Sequence, residues 1–366
     1  MERSKKMKRR IFGFAGLAVL GLVLSGCSSE GSTAADVSSD DSLETIIEKA
    51  KKEGEIASVG MPDTWANWIG TWQDIEKKYG ISHVDTDMSS AEELAKFESE
   101  GNNGTADIGD VGISFGPLAK SRGLTLPYKT SYWDEIPDWA KDEDGDWLLS
   151  YTGTISFITD TGNVQAAPKS WKELAEGDYK ISVGDVTTAN QAQFAVLAAA
   201  IANNGDEEDI DPGLAYFKKI AQQGRLSSTD ASVANLEKGE IDVAIVWDFN
   251  GLNYRDQIGK DRFEVTVPTD GSITSGYTTI INKNAPHPNA AKLAREYILS
   301  DEGQINLAKG YARPIREVEL PAEVAEKLLP DSAYKAAVPV KDNEAWDKLS
   351  AELPELWQSE VLAYAK

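Results

Sequence analysis

One cysteine, Cys27, and two histidines, His83 and His287, are all that 366 residues offer in thiol and imidazole chemistry. A single cysteine excludes any disulfide within the chain, so stability has to come from packing, which a chain of this length can supply. The same scarcity leaves no paired cysteines, no H-E-x-x-H and no EF-hand pattern, so neither a metal site nor a cofactor is expected. No G-x-S-x-G frames a serine, and nothing in the spacing of the acids singles out a catalytic pair; the chain does not read as an enzyme. Positive charge is also short, with 37 Lys and Arg against 60 Asp and Glu, a formal net charge of −23. Six of those basic residues and one glutamate lie within the first 26 residues; without that segment the balance is 31 basic against 59 acidic, net −28. Such a surface excludes nucleic acid as a partner and gives no charge-driven adhesion to anionic lipid. Long apolar runs are missing too, for Ile11 to Leu24 provides about 14 residues where a membrane span needs roughly 20.

The N-terminus is where the absences stop. Arg3, Lys5, Lys6, Lys8, Arg9 and Arg10 precede the uncharged run Ile11–Leu24, which is the order and polarity of a secretory signal. Leu24-Ser25-Gly26-Cys27 then resembles the lipobox of bacterial lipoproteins. The resemblance implies cleavage after residue 26, lipid on the Cys27 sulfur, and an extracytoplasmic protein anchored to the bacterial cell membrane. Ser28 to Ser42, SSEGSTAADVSSDDS, is small, polar and without aromatics, and reads as a flexible tether.

Beyond the tether, helix-like and strand-like segments alternate: Leu43–Lys52, Glu55–Gly60, Trp68–Tyr79, Ile81–Asp87, Ala91–Glu100 and Asp107–Val111. A second such series comprises Ile181–Val183, Asn190–Ala202, Pro212–Gln223, Ala231–Lys238 and Ile241–Trp247. This alternation predicts two α/β lobes with largely parallel sheets, and two β-rich stretches, Tyr151–Thr159 and Tyr277–Asn282, read as the hinge strands between them. Helices over Asn289–Leu299, Glu302–Lys309, Pro321–Leu329 and Glu344–Ala365 are expected to pack back on the first lobe.

In open α/β sheets ligands sit beyond the carboxyl ends of strands, so polar residues just after predicted strands are the candidates. Four loops qualify. The first holds Asp63, Thr64, Trp65 and Trp68; two indoles are costly to expose, which points to cleft lining over surface cover. The second holds Ser89 and Ser90, with Ser90 and Glu93 at capping-box spacing, so that an N-cap competes with ligand contact. The third is a hydroxyl-rich helix start with Thr187 and Thr188. The fourth, Trp247-Asp248, follows an apolar strand. His83, in an apparent strand, and His287, between two prolines, read as structural.

Several segments together resemble the extracytoplasmic solute-binding proteins of ABC importers, in the type II periplasmic-binding-protein group that includes polyamine, ferric-iron, thiamine and aminoethylphosphonate binders. They are KKEGEIASVGMPDTWANW, ADIGDVGIS, EKGEIDVAIVWDFN and NKNAPHPNAAKLAREYILSDEGQ, and the overlap runs from about Leu43 to Leu320. The resemblance implies a signal peptide over 1–26, a lipidated tether over 27–42, a discontinuous lobe over 43–152 plus 278–366, and a second lobe over 153–277. It further implies an interlobe cleft for a small-molecule solute, a monomeric receptor, and permease and ATPase subunits as separate chains. Asp110 and Asp230 fall where relatives contact ligand, though each can equally end a strand or cap a helix, and Tyr277 lies in the second crossover, where hinge packing competes.

Helix N-termini with hydroxyls favour anions, whereas carboxylates near indoles favour amines. The reading that results is a small amine-bearing solute, a polyamine or an aminoalkylphosphonate. Ferric iron, thiamine and a phosphate ester are the alternatives within the same class, and a protein that feeds a membrane sensor is the alternative outside it. Iron is the weaker because its binders use adjacent tyrosines and this chain has no Tyr-Tyr pair.

Overall fold

A computed structural model describes residues 41–366. The signal segment, the lipobox with Cys27 and all but the end of the tether lie outside the described residues. No helix among the described residues is long and apolar enough to cross a membrane.

Eleven strands are named here in chain order: β1 (Glu55–Val59), β2 (Ser82–Thr86), β3 (Ile108–Gly112), β4 (Trp147–Asp160), β5 (Ile181–Ser182), β6 (Leu226–Ser227), β7 (Val243–Trp247), β8 (Phe263–Thr266), β9 (Ser272–Ile281), β10 (Arg313–Pro314) and β11 (Ala337–Pro339). Their order in space is β2-β1-β3-β9-β4-β7-β5-β6. β1 pairs in parallel with β2 and β3, and β5 in parallel with β6 and β7, with helices between successive strands of each triplet, as parallel pairing requires. The long strand β4 joins the two sets: its first half runs antiparallel to β9 and its second half, from Ile155, turns to β7 and β8. The fold is thus α/β with two lobes, and β4 and β9 run between them.

Local sequence explains the elements. The helix Leu43–Glu53 starts where the Ser42 hydroxyl accepts from the Thr45 N–H and stops at Gly54, whose φ of 75° only glycine adopts without strain. β3 and β7 are buried at every position, as strands covered on both faces must be. The Ala-rich helix Asn190–Ala202 is buried through nearly its whole length, which small side chains make possible by letting neighbouring backbones approach.

The C-terminal helix corrects the expected packing. Asn343–Glu360 sets Trp346 against Phe194 at 4.9 Å and Trp357 against Phe217 at 5.4 Å, both partners belonging to helices of the second lobe. The Trp346 indole N–H also donates to Ser114 at 2.8 Å, just beyond β3. This helix therefore lies across the joint. Pro288–Leu299 and Asp301–Lys309 do pack on the first lobe; the buried Arg295 donates to Thr279 on β9 and to the carbonyls of Tyr128 and Gly145.

Candidate functional site

A cleft of about 270 Å3 opens at the carboxyl ends of β1 and β2, beside Asp110 of β3, between those loops and the start of Asn190–Ala202. Its lining includes Pro62, Trp65, Asp87, Ser89, Ser90, Glu93, Asp110, Asn190, Gln191 and Tyr277, with no lysine or arginine among the described residues that line it.

The loop after β1 turns sharply. Ala66 and Asn67 take φ of 47° and 57°, a left-handed conformation that non-glycine residues hold only when their surroundings enforce it. The Asn67 amide supplies that enforcement, donating to the Asn306 backbone and side-chain oxygens at 3.0 and 2.8 Å. The turn leaves Trp65 at the cleft and opens the helix Trp68–Tyr79 with Trp68 fully buried.

Aromatic rings build one wall. Trp65 meets Phe249 and Tyr277 edge-on at 5.3 and 5.4 Å, and Tyr151 stacks on Tyr277 at 5.8 Å from the directly opposite position of the neighbouring strand. Hydrogen bonds link these rings to a carboxylate: the Trp65 indole donates to the Tyr151 hydroxyl at 2.7 Å, and Tyr151 donates in turn to Asp110 Oδ2 at 2.6 Å. The Trp68 indole donates to the same oxygen at 3.3 Å.

Acid builds the floor. Glu93 and Asp110 are only 1% and 2% exposed, and the Asp110 N–H donates to Glu93 Oε2 at 3.1 Å. Glu93 Oε1 and Asp110 Oδ1 have no partner. Burial holds both carboxyls well above the ordinary range; for Glu93 the charge of Asp110 adds to the effect, while for Asp110 the Tyr151 and Trp68 bonds oppose it. Asp87, at the cleft, and nearby Asp85 are raised as well, first by burial and then by neighbouring acids. Glycine makes the space: a Cβ at Gly60 would lie 2.2 Å from Glu93 Oε1, one at Gly109 2.5 Å from Glu93 Oε2, and one at Gly112 2.0 Å from Asn190 Cγ.

The structure brings together Trp65, Ser89, Ser90, Asp110 and Tyr277 at the cleft. Trp68 stands behind Asp110, and the buried Trp247 donates to the Tyr277 hydroxyl at 3.3 Å, so both support lining residues. The remaining candidates lie elsewhere. Asp63 and Thr64 are exposed, though the Thr64 carbonyl accepts from Asn253 of the opposite lobe at 2.7 Å. Thr187 and Thr188 donate to Asp185, and Thr187 faces a separate groove. Asp230 is exposed, its carbonyl accepting from Asn235. Asp248 is buried away from the cleft, accepting from the Thr154 N–H and the Tyr334 hydroxyl.

The capping box also sits one residue earlier than its spacing suggests. Glu92 accepts from the Ser89 N–H and hydroxyl, both at 2.8 Å, which frees Ser90 to accept from the Gly112 N–H and Glu93 to enter the cleft. Glu93, Tyr151, Asn190 and Gln191 are the lining or supporting residues that sequence reasoning passed over. His83 is held by stacking on Trp72 at 3.9 Å, and burial lowers its pKa to about 4; His287 bonds Asp107 at 3.0 Å. Among the described residues one trio of acids, Asp142, Asp144 and Asp146, converges as a metal site would, and the Lys120 ammonium sits among them at 2.9, 2.8 and 3.4 Å.

Residues 103–349 match the family described as bacterial extracellular solute-binding protein. The sulfate-binding protein of Escherichia coli is 28% identical over 187 residues, 48% of this chain and 54% of that protein, so the chain spans about half the length of that relative. A putative 2-aminoethylphosphonate-binding periplasmic protein of Salmonella typhimurium is 25% identical over 279 residues, 72% of this chain and 76% of the relative. Among solved structures, the periplasmic binding protein AfuA of Actinobacillus pleuropneumoniae, with fructose-6-phosphate bound, superposes with a TM-score of 0.71 at 19% identity, covering 84% of this chain and 98% of that one.

Proposed function

Because the chain belongs to the family of bacterial extracellular solute-binding proteins, we propose that it captures a small amine-bearing solute in this cleft and hands it to the permease of an ABC importer. In this reading Cys27 carries the lipid that moors it outside the cell membrane, and the lobes, 43–152 with part of the C-terminal region and 153–277, close about β4 and β9.

One observation carries the ligand class: two buried carboxyls, each with an unpartnered oxygen, lie beside an aromatic wall in a cleft where the described lining residues include no lysine or arginine. Burying an ionised carboxylate costs several kcal/mol unless a cation and hydrogen bonds compensate, and an ammonium group supplies both. The rings add cation–π attraction of about 0.5–2 kcal/mol. A bare dianion such as sulfate or a sugar phosphate would meet these acids with no lysine or arginine to offset them. The starts of Ser90–Glu100 and Asn190–Ala202 at the cleft's rim suit the anionic end of a zwitterion, which keeps an aminoalkylphosphonate beside a polyamine as the two leading solutes. Ferric iron would need phenolates, whereas burial raises the pKa of both Tyr151 and Tyr277, and their hydroxyls are engaged by Asp110 and Trp247.

The test is a melting-shift screen with putrescine, spermidine, 2-aminoethylphosphonate, thiamine, sulfate, fructose 6-phosphate and ferric citrate. An amine that binds raises the melting temperature by mass action. A shift with sulfate or the sugar phosphate and with no amine would overturn the reading.

A further inference from the structure

We propose that the cleft selects ammonium ligands bearing N–H donors and rejects quaternary ammonium ions of the same charge and backbone. This rests on the amine reading above and refines it.

An aromatic wall does not make the distinction, since ring faces attract any cation, methylated or not. The two acids do. Glu93 Oε2 is occupied by the Asp110 N–H, and Asp110 Oδ2 by the Tyr151 hydroxyl and the Trp68 indole, so both groups are fixed in place. Each then keeps one buried oxygen, Glu93 Oε1 and Asp110 Oδ1, with no hydrogen bond, and both residues line the cleft. A primary or secondary ammonium donates directly to these oxygens. A trimethylammonium group brings the same charge without a donor and leaves both acceptors unmet.

Sites built to hydrogen-bond a ligand discriminate far more strongly against an analogue lacking the donor than apolar pockets discriminate by shape. An unmet buried acceptor costs a factor of roughly 5.5 or more in affinity, so two amount to at least about thirtyfold.

Isothermal titration of the full chain decides the matter with two matched pairs: putrescine against its bis-trimethylammonium counterpart, and 2-aminoethylphosphonate against its N-trimethyl counterpart. The pair whose primary amine binds should show its quaternary member weaker by at least about thirtyfold. Glu93→Gln and Asp110→Asn should each narrow that ratio, because either replacement removes one of the two acidic acceptors; two variants guard against one failing to fold. Crowding alone would leave the ratio unchanged in both variants. An unchanged ratio, or a quaternary ion bound within about threefold of the primary amine, overturns the inference while leaving the amine reading intact. If neither primary amine binds, the amine reading itself falls.

Discussion

Replacing Asp110 by asparagine separates the charge of this residue from its shape. The side-chain oxygen of asparagine can still accept from Tyr151 and Trp68, as Asp110 Oδ2 does at 2.6 and 3.3 Å, while its amide takes the place of the unpartnered Oδ1. What disappears is the carboxylate. A hydrogen bond to a charged group contributes about 1.5–3 kcal/mol, so affinity for an amine should fall about ten- to a hundredfold. The free protein should respond in the opposite sense. Burial raises the Asp110 carboxyl above its ordinary value of 3.8, so the folded chain retains a proton that the unfolded chain releases. Stability from that proton is fully present below about pH 4 and is lost as pH rises through the elevated folded value. The substituted amide has no proton to lose. Relative to the original chain, Asp110→Asn should therefore gain stability as pH increases from 4 to 8, read by urea unfolding across that range, while titration calorimetry at pH 7 follows the amine. Undiminished amine affinity in a folded variant, or a stability advantage that shrinks with rising pH, would refute the reasoning.

Other outcomes follow from the same geometry. Trp65→Ala removes the ring that meets Phe249 and Tyr277 and the donor to Tyr151; amine affinity should drop at least tenfold, about 1.4 kcal/mol, by calorimetry. Tyr334→Phe strips a donor from the buried Asp248 and should lower unfolding free energy by about 1–3 kcal/mol without altering amine affinity, since neither residue lines the cleft; a changed affinity would put Asp248 back in the site. His83 should titrate by NMR with a midpoint near 4, well below the 6.5 of a free imidazole, because burial disfavours its charged form; a midpoint above 6 would contradict its packing on Trp72. Its stabilising contribution, as the neutral ring, holds above about pH 6.5 and is lost on acidification toward 4.

Periodicity made the element order legible from the sequence, and the helices Trp68–Tyr79 and Asn190–Ala202 have the ends it indicates. Placing candidates after strands located the two main loops of the cleft, since those at the carboxyl ends of β1 and β2 do line it. It did not say which side chain of each loop turns inward. Glu93 hid in an ordinary amphipathic helix, because its burial depends on missing Cβ atoms at Gly60 and Gly109, the one 33 residues before it and the other 16 after. Asp248 obeyed the rule of following a strand, yet its carboxylate is taken up by Thr154 and by Tyr334, which arrives from 86 residues away. The last helix carries Trp346 and Trp357 on an apolar face that would suit a groove on either lobe. Only the three-dimensional positions of Phe194 and Phe217 decide which.

Gly60, Gly109 and Gly112 mean that the chamber is shaped as much by atoms the chain omits as by those it supplies. The nearest atom that one added methyl group would meet at each of them belongs to Glu93 or Asn190. Single exchanges at Gly109 or Gly112 would reshape the chamber through Glu93 or Asn190, whereas Gly60, at a φ of 68°, would also strain the backbone under any other residue. In kindred sequences, the occupants of these three positions are therefore a more telling guide to diet than overall identity.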